Sequence, residues 1–277
     1  MPSLKDVKPA TRIKAMHVGR SGGGKTIGAA SLAQIAPEGQ KIFIFDLDGR
    51  IRPVVKMYPQ LLDKIDYESY GPSDFAKLWD KVGWLSDHPN DYWGVVMDGL
   101  TVLADMTMTY SMELAGNSKS SKMMKGVIPL PEIQDYKAEI RGVSGILDEL
   151  RNYPRHLILT AHLVSIEYNS PSKTQASNDK KIERILVTQG RKLAPIVPRF
   201  FDEIYLFLPS VSGVLGNLPD YKVYTAPNEY FEECRTALSL PASIPWTMKP
   251  GELGLYPKIM EHVKKMDASM ASKILES

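Results

Sequence analysis

The chain is 277 residues long, 43% apolar and 24% charged, enough to bury a full core as one large domain or two small ones. A formal net charge of +2 excludes a general polyanion field, so any nucleic-acid site has to be built from local basic clusters. The single cysteine, Cys234, excludes an internal disulfide and a cysteine-based zinc site, and no run of about 18 apolar residues is present to cross a bilayer.

With no N-terminal apolar run resembling a signal peptide, a soluble cytoplasmic protein that does not engage a membrane is expected. Residues 12–18 alternate as a short strand, and residues 27–35, rich in Ala and Leu, read as a helix. Between them stands Gly19-Arg20-Ser21-Gly22-Gly23-Gly24-Lys25-Thr26, an uninterrupted G-x-x-x-x-G-K-[ST] phosphate-binding loop in the strand–loop–helix context that such a motif requires. The glycines let backbone N–H groups close around phosphate oxygens, and the helix N-terminus adds its positive end. The expected nucleotide contacts are therefore Gly19, Arg20, Ser21, Gly22, Gly23, Gly24, Lys25, Thr26 and Ile27. Lys25 is expected to reach the β- and γ-phosphates, and the Thr26 hydroxyl to hold Mg²⁺. The ligand is a nucleoside triphosphate.

Further along, residues 41–45 form a strand that ends in Asp46-Leu47-Asp48-Gly49. Residues 73–85 have helical spacing, with Phe75, Leu78, Trp79 and Val82 on one face and Ser73 as the N-cap. Residues 93–97 are a strand ending at Asp98, residues 133–152 a long helix, and residues 156–160 a buried strand ending at Ala161-His162. Strands at 201–208 and 222–225 follow, then a loop and an amphipathic helix from Pro257. This alternation predicts an α/β fold, a largely parallel central sheet flanked by helices. The core is expected over residues 1–245, with a C-terminal loop and helix over 246–277.

Two segments break the rhythm. Residues 117–125 carry three lysines (Lys119, Lys122, Lys125) and no acid. Residues 167–192 read as a loop with six basic residues (Lys173, Lys180, Lys181, Arg184, Arg191, Lys192) against three acidic ones.

Asp98 has the form of a second acidic nucleotide motif, its carboxylate on Mg²⁺ through water opposite Thr26. The next residue is Gly99 rather than a glutamate, so the water-activating carboxylate has to come from elsewhere. Asp46 and Asp48 are the candidates, and Asp48, one step further out of its strand, is the expected base; the alternative is a solvated turn. His162 is placed to touch the γ-phosphate and to pass its presence to the following loop; the alternative is a structural histidine.

These pieces, in this order, resemble the RecA core, most closely the short phage RecA-like P-loop ATPases, some of which are ATP-dependent single-strand annealing proteins. The resemblance covers roughly residues 12–245. It rests on the phosphate loop, Asp46-Leu47-Asp48-Gly49, Val95-Val96-Met97-Asp98, Gln134-Asp135-Tyr136 and Leu157-Ile158-Leu159-Thr160-Ala161-His162. Beyond these it rests on Gly190-Arg191-Lys192-Leu193-Ala194-Pro195 and Pro198-Arg199-Phe200-Phe201-Asp202-Glu203. It implies ATP and Mg²⁺ as ligands, with Asp48 as the catalytic carboxylate and His162 as the γ-phosphate sensor. No Asn-Lys-x-Asp guanine-reading motif is present, in keeping with adenine.

The resemblance also implies a single-stranded DNA path lined by loops at about 115–130 and 166–192. Lys119, Lys122, Lys125, Lys173, Lys180, Lys181 and Arg184 would meet the DNA backbone there. Further implied partners are copies of the chain itself, in a ring or filament, and a single-strand-binding protein. Two departures stand out. Only about a dozen residues precede the first strand, so the subunit-docking segment of recombinases is expected to be absent or replaced, and strand exchange is not expected. The Lys-x-Arg pair of similar phage proteins reads Glu233-Cys234-Arg235 here, which makes Arg235 the candidate for a finger acting on a neighbour's nucleotide. Sparse loop aromatics, Tyr168 alone, keep a second reading open: a nucleotide-dependent assembly or regulatory module acting on a protein partner. A small-molecule kinase would need an arginine-rich lid, and Arg50 and Arg52 are the only close pair near the site.

Overall fold

Parallel strands covered by helices on both faces have to be apolar on both, and Ile42-Phe43-Ile44-Phe45 and Val95-Val96-Met97 meet that demand. The computed structural model describes residues 12–116, 123–124, 128–129, 131, 133–169, 180–210, 220–247 and 249–276. The first half runs β1 (Lys14–Gly19), α1 (Lys25–Ala30), β2 (Ile42–Asp46), α2 (Arg52–Met57), β3 (Ile65–Ser69), α3 (Phe75–Asp87), β4 (Gly94–Asp98) and α4 (Leu100–Gly116). A short pair, β5 (Met123–Met124) and β6 (Ile128–Pro129), precedes α5 (Ile133–Asn152). The chain continues through β7 (His156–Asn169), β8 (Lys180–Leu186), β9 (Glu203–Ser210), β10 (Asp220–Tyr224) and β11 (Ser243–Thr247) to α6 (Leu255–Met266) and α7 (Ala268–Glu276).

The main sheet has the order β11-β10-β9-β1-β7-β4-β2-β3, and β8 pairs with the outer half of β7. Pairing is parallel from β3 across to β9 and antiparallel where β10 and β11 close the far edge. The fold is an α/β core, a mostly parallel central sheet flanked by helices. The phosphate-loop strand β1 lies at the centre, and β7 separates it from β4. Met16, Val18, Phe43, Phe45, Val95 and Met97 face a core built with α3, α4 and α5. Ala15, Ile42, Ile44, Val96 and Ile158 face the other core, closed by α1, α6 and α7.

Several sequence expectations are corrected. Residues 167–192 are not a continuous loop: β7 runs on to Asn169, and β8 returns antiparallel, with Leu163 opposite Leu186 and Asn169 opposite Lys180. This hairpin projects beyond the parallel sheet, where β8 pairs with β7 alone and Glu183 is exposed, so a charged sequence, Lys-Lys-Ile-Glu-Arg-Ile-Leu, is compatible with a strand there. Ser73 is not the N-cap of α3. Asp74 holds that position, its carboxylate accepting the Gly71 N–H at 2.6 Å, while the Ser73 hydroxyl donates to Glu113.

The helix expected over 27–35 is six residues of α-helix followed by a 3-10 turn, Ser31–Gln34. The last helix begins at Leu255 rather than Pro257 and breaks at Asp267 into two. α2, β3, α4 and β11 had no sequence counterpart. β3 is a half-exposed edge strand, Ile-Asp-Tyr-Glu-Ser, and α4 is packed on most of its circumference, so neither shows a clean stripe. β11 runs through position 245 and pairs with β10, joining the two segments divided there.

Candidate functional site

β1 ends at Gly19, and the loop turns into α1 through Gly24, whose φ of 86° is open to glycine at little cost. Arg20, Ser21 and Gly22 are exposed, while Ile27 is buried in the first turn of the helix. Lys25 Nζ donates to the carbonyls of Gly19 (3.1 Å) and Arg20 (2.9 Å) and stands 3.1 Å from His162 Nδ1. Burial depresses the Lys25 ammonium to about 8; the Asp98 and Asp48 carboxylates oppose that shift, and the Arg50 charge adds to it.

Parallel register lines up the acidic centre. Asp98 at the end of β4 is paired with Asp46 of β2 and Thr160 of β7. Thr26 Oγ1 lies 3.0 and 2.9 Å from the two Asp98 oxygens, and Thr160 Oγ1 donates to Oδ1 at 2.6 Å. Burial pushes the Asp98 carboxyl up to about 6, the two hydroxyls pull it back, and the Asp48 and Asp46 charges push it further. A carboxylate and a hydroxyl converging on one point are hard oxygen donors of the kind Mg²⁺ takes beside substrate phosphates. Thr160 was not singled out from the sequence. A hydroxyl at the end of the strand beside the Asp98 strand was the available signal.

Asp46 and Asp48 part company. Asp46 is 2% exposed and accepts the Arg50 N–H (2.8 Å) and the Ser69 hydroxyl (3.1 Å), closing the turn after β2. Asp48 faces the phosphate loop, with Oδ2 at 3.2 Å from His162 Nε2. An ammonium can only donate, so His162 Nδ1 accepts from Lys25 and its Nε2–H donates to Asp48. Gly99 explains the missing glutamate. Its φ is 129°, and a Cβ there would lie 2.6 Å from Asp48 Oδ1. The Asp48 carboxylate thus fills the space that any side chain after Asp98 would enter.

Arg50 Nη1 donates to Ser21 Oγ at 2.7 Å, an arginine on the phosphate loop that the sequence showed only as half of an Arg pair. The Asp-x-Asp-Gly-Arg spacing was the signal for it. The Arg235 guanidinium is engaged within its own chain, donating to the carbonyls of Phe201 (2.7 Å) and Pro198. Arg184 lies over the Tyr230 ring at 4.9 Å and donates to the Glu229 carbonyl. Lys180 and Lys181 belong to β8, and Lys119, Lys122, Lys125 and Lys173 lie outside the described residues. Beneath the loop, His17 is fully buried, with Nδ1 3.3 Å from the Lys25 carbonyl and Nε2 3.0 Å from the Tyr256 hydroxyl on α6. Burial drops the His17 pKa to about 3, so it is a neutral strut.

A phosphate loop on the central strand, an acidic strand end two strands away and a carboxylate–histidine–lysine contact define a P-loop nucleotide-binding protein. The model of the AAA_24 family, described as an AAA domain, matches residues 11–215, and the chain belongs to that family. Among solved structures it is similar to the flagellar accessory protein FlaH from Methanocaldococcus jannaschii, at 10% identity over 89% of this chain and 88% of that one, with a TM-score of 0.39. Among curated proteins no sequence matches. No helix among the described residues is long and apolar enough to cross a membrane.

Proposed function

We propose that this chain is a slow Mg²⁺-dependent ATPase whose nucleotide state is passed to the β7–β8 hairpin, and that the hairpin and neighbouring loops bind single-stranded DNA and promote annealing and recombination. The contact of Lys25, His162 and Asp48 carries the reading. Backbone amides of the loop and Lys25 bind the phosphates. Thr26 and Asp98 would hold Mg²⁺, which when bound neutralises charge on the phosphate oxygens. Asp48 orients the attacking water and takes its proton, and Lys25 stabilises charge on the transferred phosphoryl group.

A terminal phosphate draws the Lys25 donors away from the Gly19 and Arg20 carbonyls and from His162. His162 is then free to turn with the phosphate. Its main-chain carbonyl accepts the Val187 N–H at 2.9 Å, which ties its movement to the end of β8. The DNA role, self-assembly into a ring or filament and a phage source rest on the resemblance to annealing ATPases.

One observation favours a second reading, a regulatory module acting on a protein. A groove of about 790 Å³ between the hairpin and residues 229–233 is lined by Glu167, Glu183, Glu229, Glu232 and Glu233 against Arg184 and Arg191. Such a groove repels phosphates and suits a basic protein segment.

Binding of purified protein to fluorescent oligo-dT across a salt series, with and without a non-hydrolysable ATP analogue, separates the two. Salt-sensitive binding that tightens with the analogue supports the DNA reading. Absence of binding in both states, with the analogue bound, assigns the hairpin to a protein partner.

A further inference from the structure

We infer that Arg50 is a clamp for the terminal phosphate, supplied by the same chain that holds the nucleotide. The inference rests on the ATPase reading above and adds a residue to it. Three observations place the guanidinium. Its root is fixed, because the buried Asp46 carboxylate, itself held by the Ser69 hydroxyl, accepts the Arg50 N–H at 2.8 Å. Its head is already on the loop, with Nη1 2.7 Å from Ser21 Oγ, while the residue as a whole stays exposed.

The side of the loop it touches is the third observation. Lys25, which reaches toward the β- and γ-phosphates in loops of this kind, has its ammonium on the carbonyls of Gly19 and Arg20, directly before Ser21. Asp48 and His162 approach the same end, and Asp48 stands two residues before Arg50. Arg50 is therefore on the terminal-phosphate side, where its charge is also felt at Lys25.

A serine hydroxyl is a weak, neutral partner for a guanidinium, and a phosphate oxygen is a strong, charged one. On binding, Arg50 exchanges Ser21 for the terminal phosphate with little movement of its backbone. Arg235, the arginine expected to act on a neighbour, is instead held by carbonyls of its own chain. The clamp makes the site selective for triphosphate over diphosphate, because only the former offers the oxygen it reaches.

The test compares affinities for ADP and for a non-hydrolysable ATP analogue in the wild type, Arg50→Ala and Arg50→Lys, with thermal midpoints recorded for each. Loss of one charge-assisted hydrogen bond predicts that Arg50→Ala weakens the analogue by about ten- to a hundredfold. ADP affinity and the thermal midpoint of the free protein stay unchanged, and Arg50→Lys recovers part of the loss. Equal weakening of both nucleotides would make Arg50 a brace for the loop and overturn the clamp, as would unchanged affinity for both. A wild-type protein that binds neither nucleotide refutes the ATPase reading itself, a result separate from the other two.

Discussion

Asp46 and Asp48 stand two residues apart, yet the strand ends at the first, so they do not share a face. One becomes a buried turn-closer and the other the acidic group at the phosphate loop. Asp48→Asn is expected to keep ATP affinity and lose turnover by about 100-fold or more, read by steady-state phosphate release. Gly99→Ala probes the same atom indirectly. Its methyl would enter the space of Asp48 Oδ1 at a φ of 129°, so hydrolysis should fall together with a stability loss of about 1–3 kcal/mol, measured by urea unfolding. Turnover at the wild-type rate in that variant would take Asp48 out of the reaction.

Cys234 offers a pH test of the core. Burial pushes its thiol up to about 12, so thiolate is scarce at pH 8 and a thiol reagent should react only slowly until the pH nears 12 or the protein unfolds. Fast labelling of the native protein at pH 8 would show that the core opens there. At this scale the sequence was legible wherever a motif fixes geometry by itself, as in Lys25, Thr26 and Asp98. It gave Thr160 and Arg50 no role, because their contacts come from a strand and a turn that fold against the motif from elsewhere.

Among elements, α5 has a task that its amphipathic pattern conceals. Glu139 is fully buried and accepts the N–H groups of Gln189 and Gly190, each at 2.9 Å, in the turn that follows β8. Thr101 at the start of α4 donates to the Val187 carbonyl in the same turn. The hairpin is thereby anchored to the helix that follows Asp98 and to the long helix behind it. Glu139→Ala, which removes both hydrogen bonds between a buried carboxylate and this turn, should cost about 1–3 kcal/mol. It should also weaken the effect of nucleotide on partner binding more than it changes ATP affinity. Isothermal titration of nucleotide alongside the oligo-dT assay reads both. β2, β4 and the inner half of β7 were legible because double-sided burial demands apolar runs, and β1 because its alternating residues lead straight into the phosphate loop. β3 and β8 escaped because an edge strand or hairpin keeps charged residues on its open side, and α4 because close packing leaves it no polar stripe.

Over the whole molecule, two cores on opposite faces share one sheet, so the faces are expected to unfold together. Mg·ATP at about 100 times its Kd contributes about 2.7 kcal/mol, which should raise Tm by about 5 °C. Lys25→Ala should abolish the shift without lowering the Tm of the free protein by more than a degree or two. The order of motifs along the chain announced this architecture, because phosphate loop, acidic strand ends and alternating helices can be arranged in few ways. The docking of the final helices could not be foreseen, since it rests on Tyr256, Ile259, Val263 and Ile274 meeting the second core and on the Tyr256–His17 contact, none of them part of a motif.

That strut has a consequence in time. β1 is made first, yet its sheet neighbours are residues 157–162 and 203–207, and the hydroxyl that steadies His17 belongs to Tyr256. A growing polypeptide carries the phosphate loop long before it has the walls and floor that seat it. The earliest motif in the chain is thus the last to become competent, and a nascent chain halted before Tyr256 should not retain ATP.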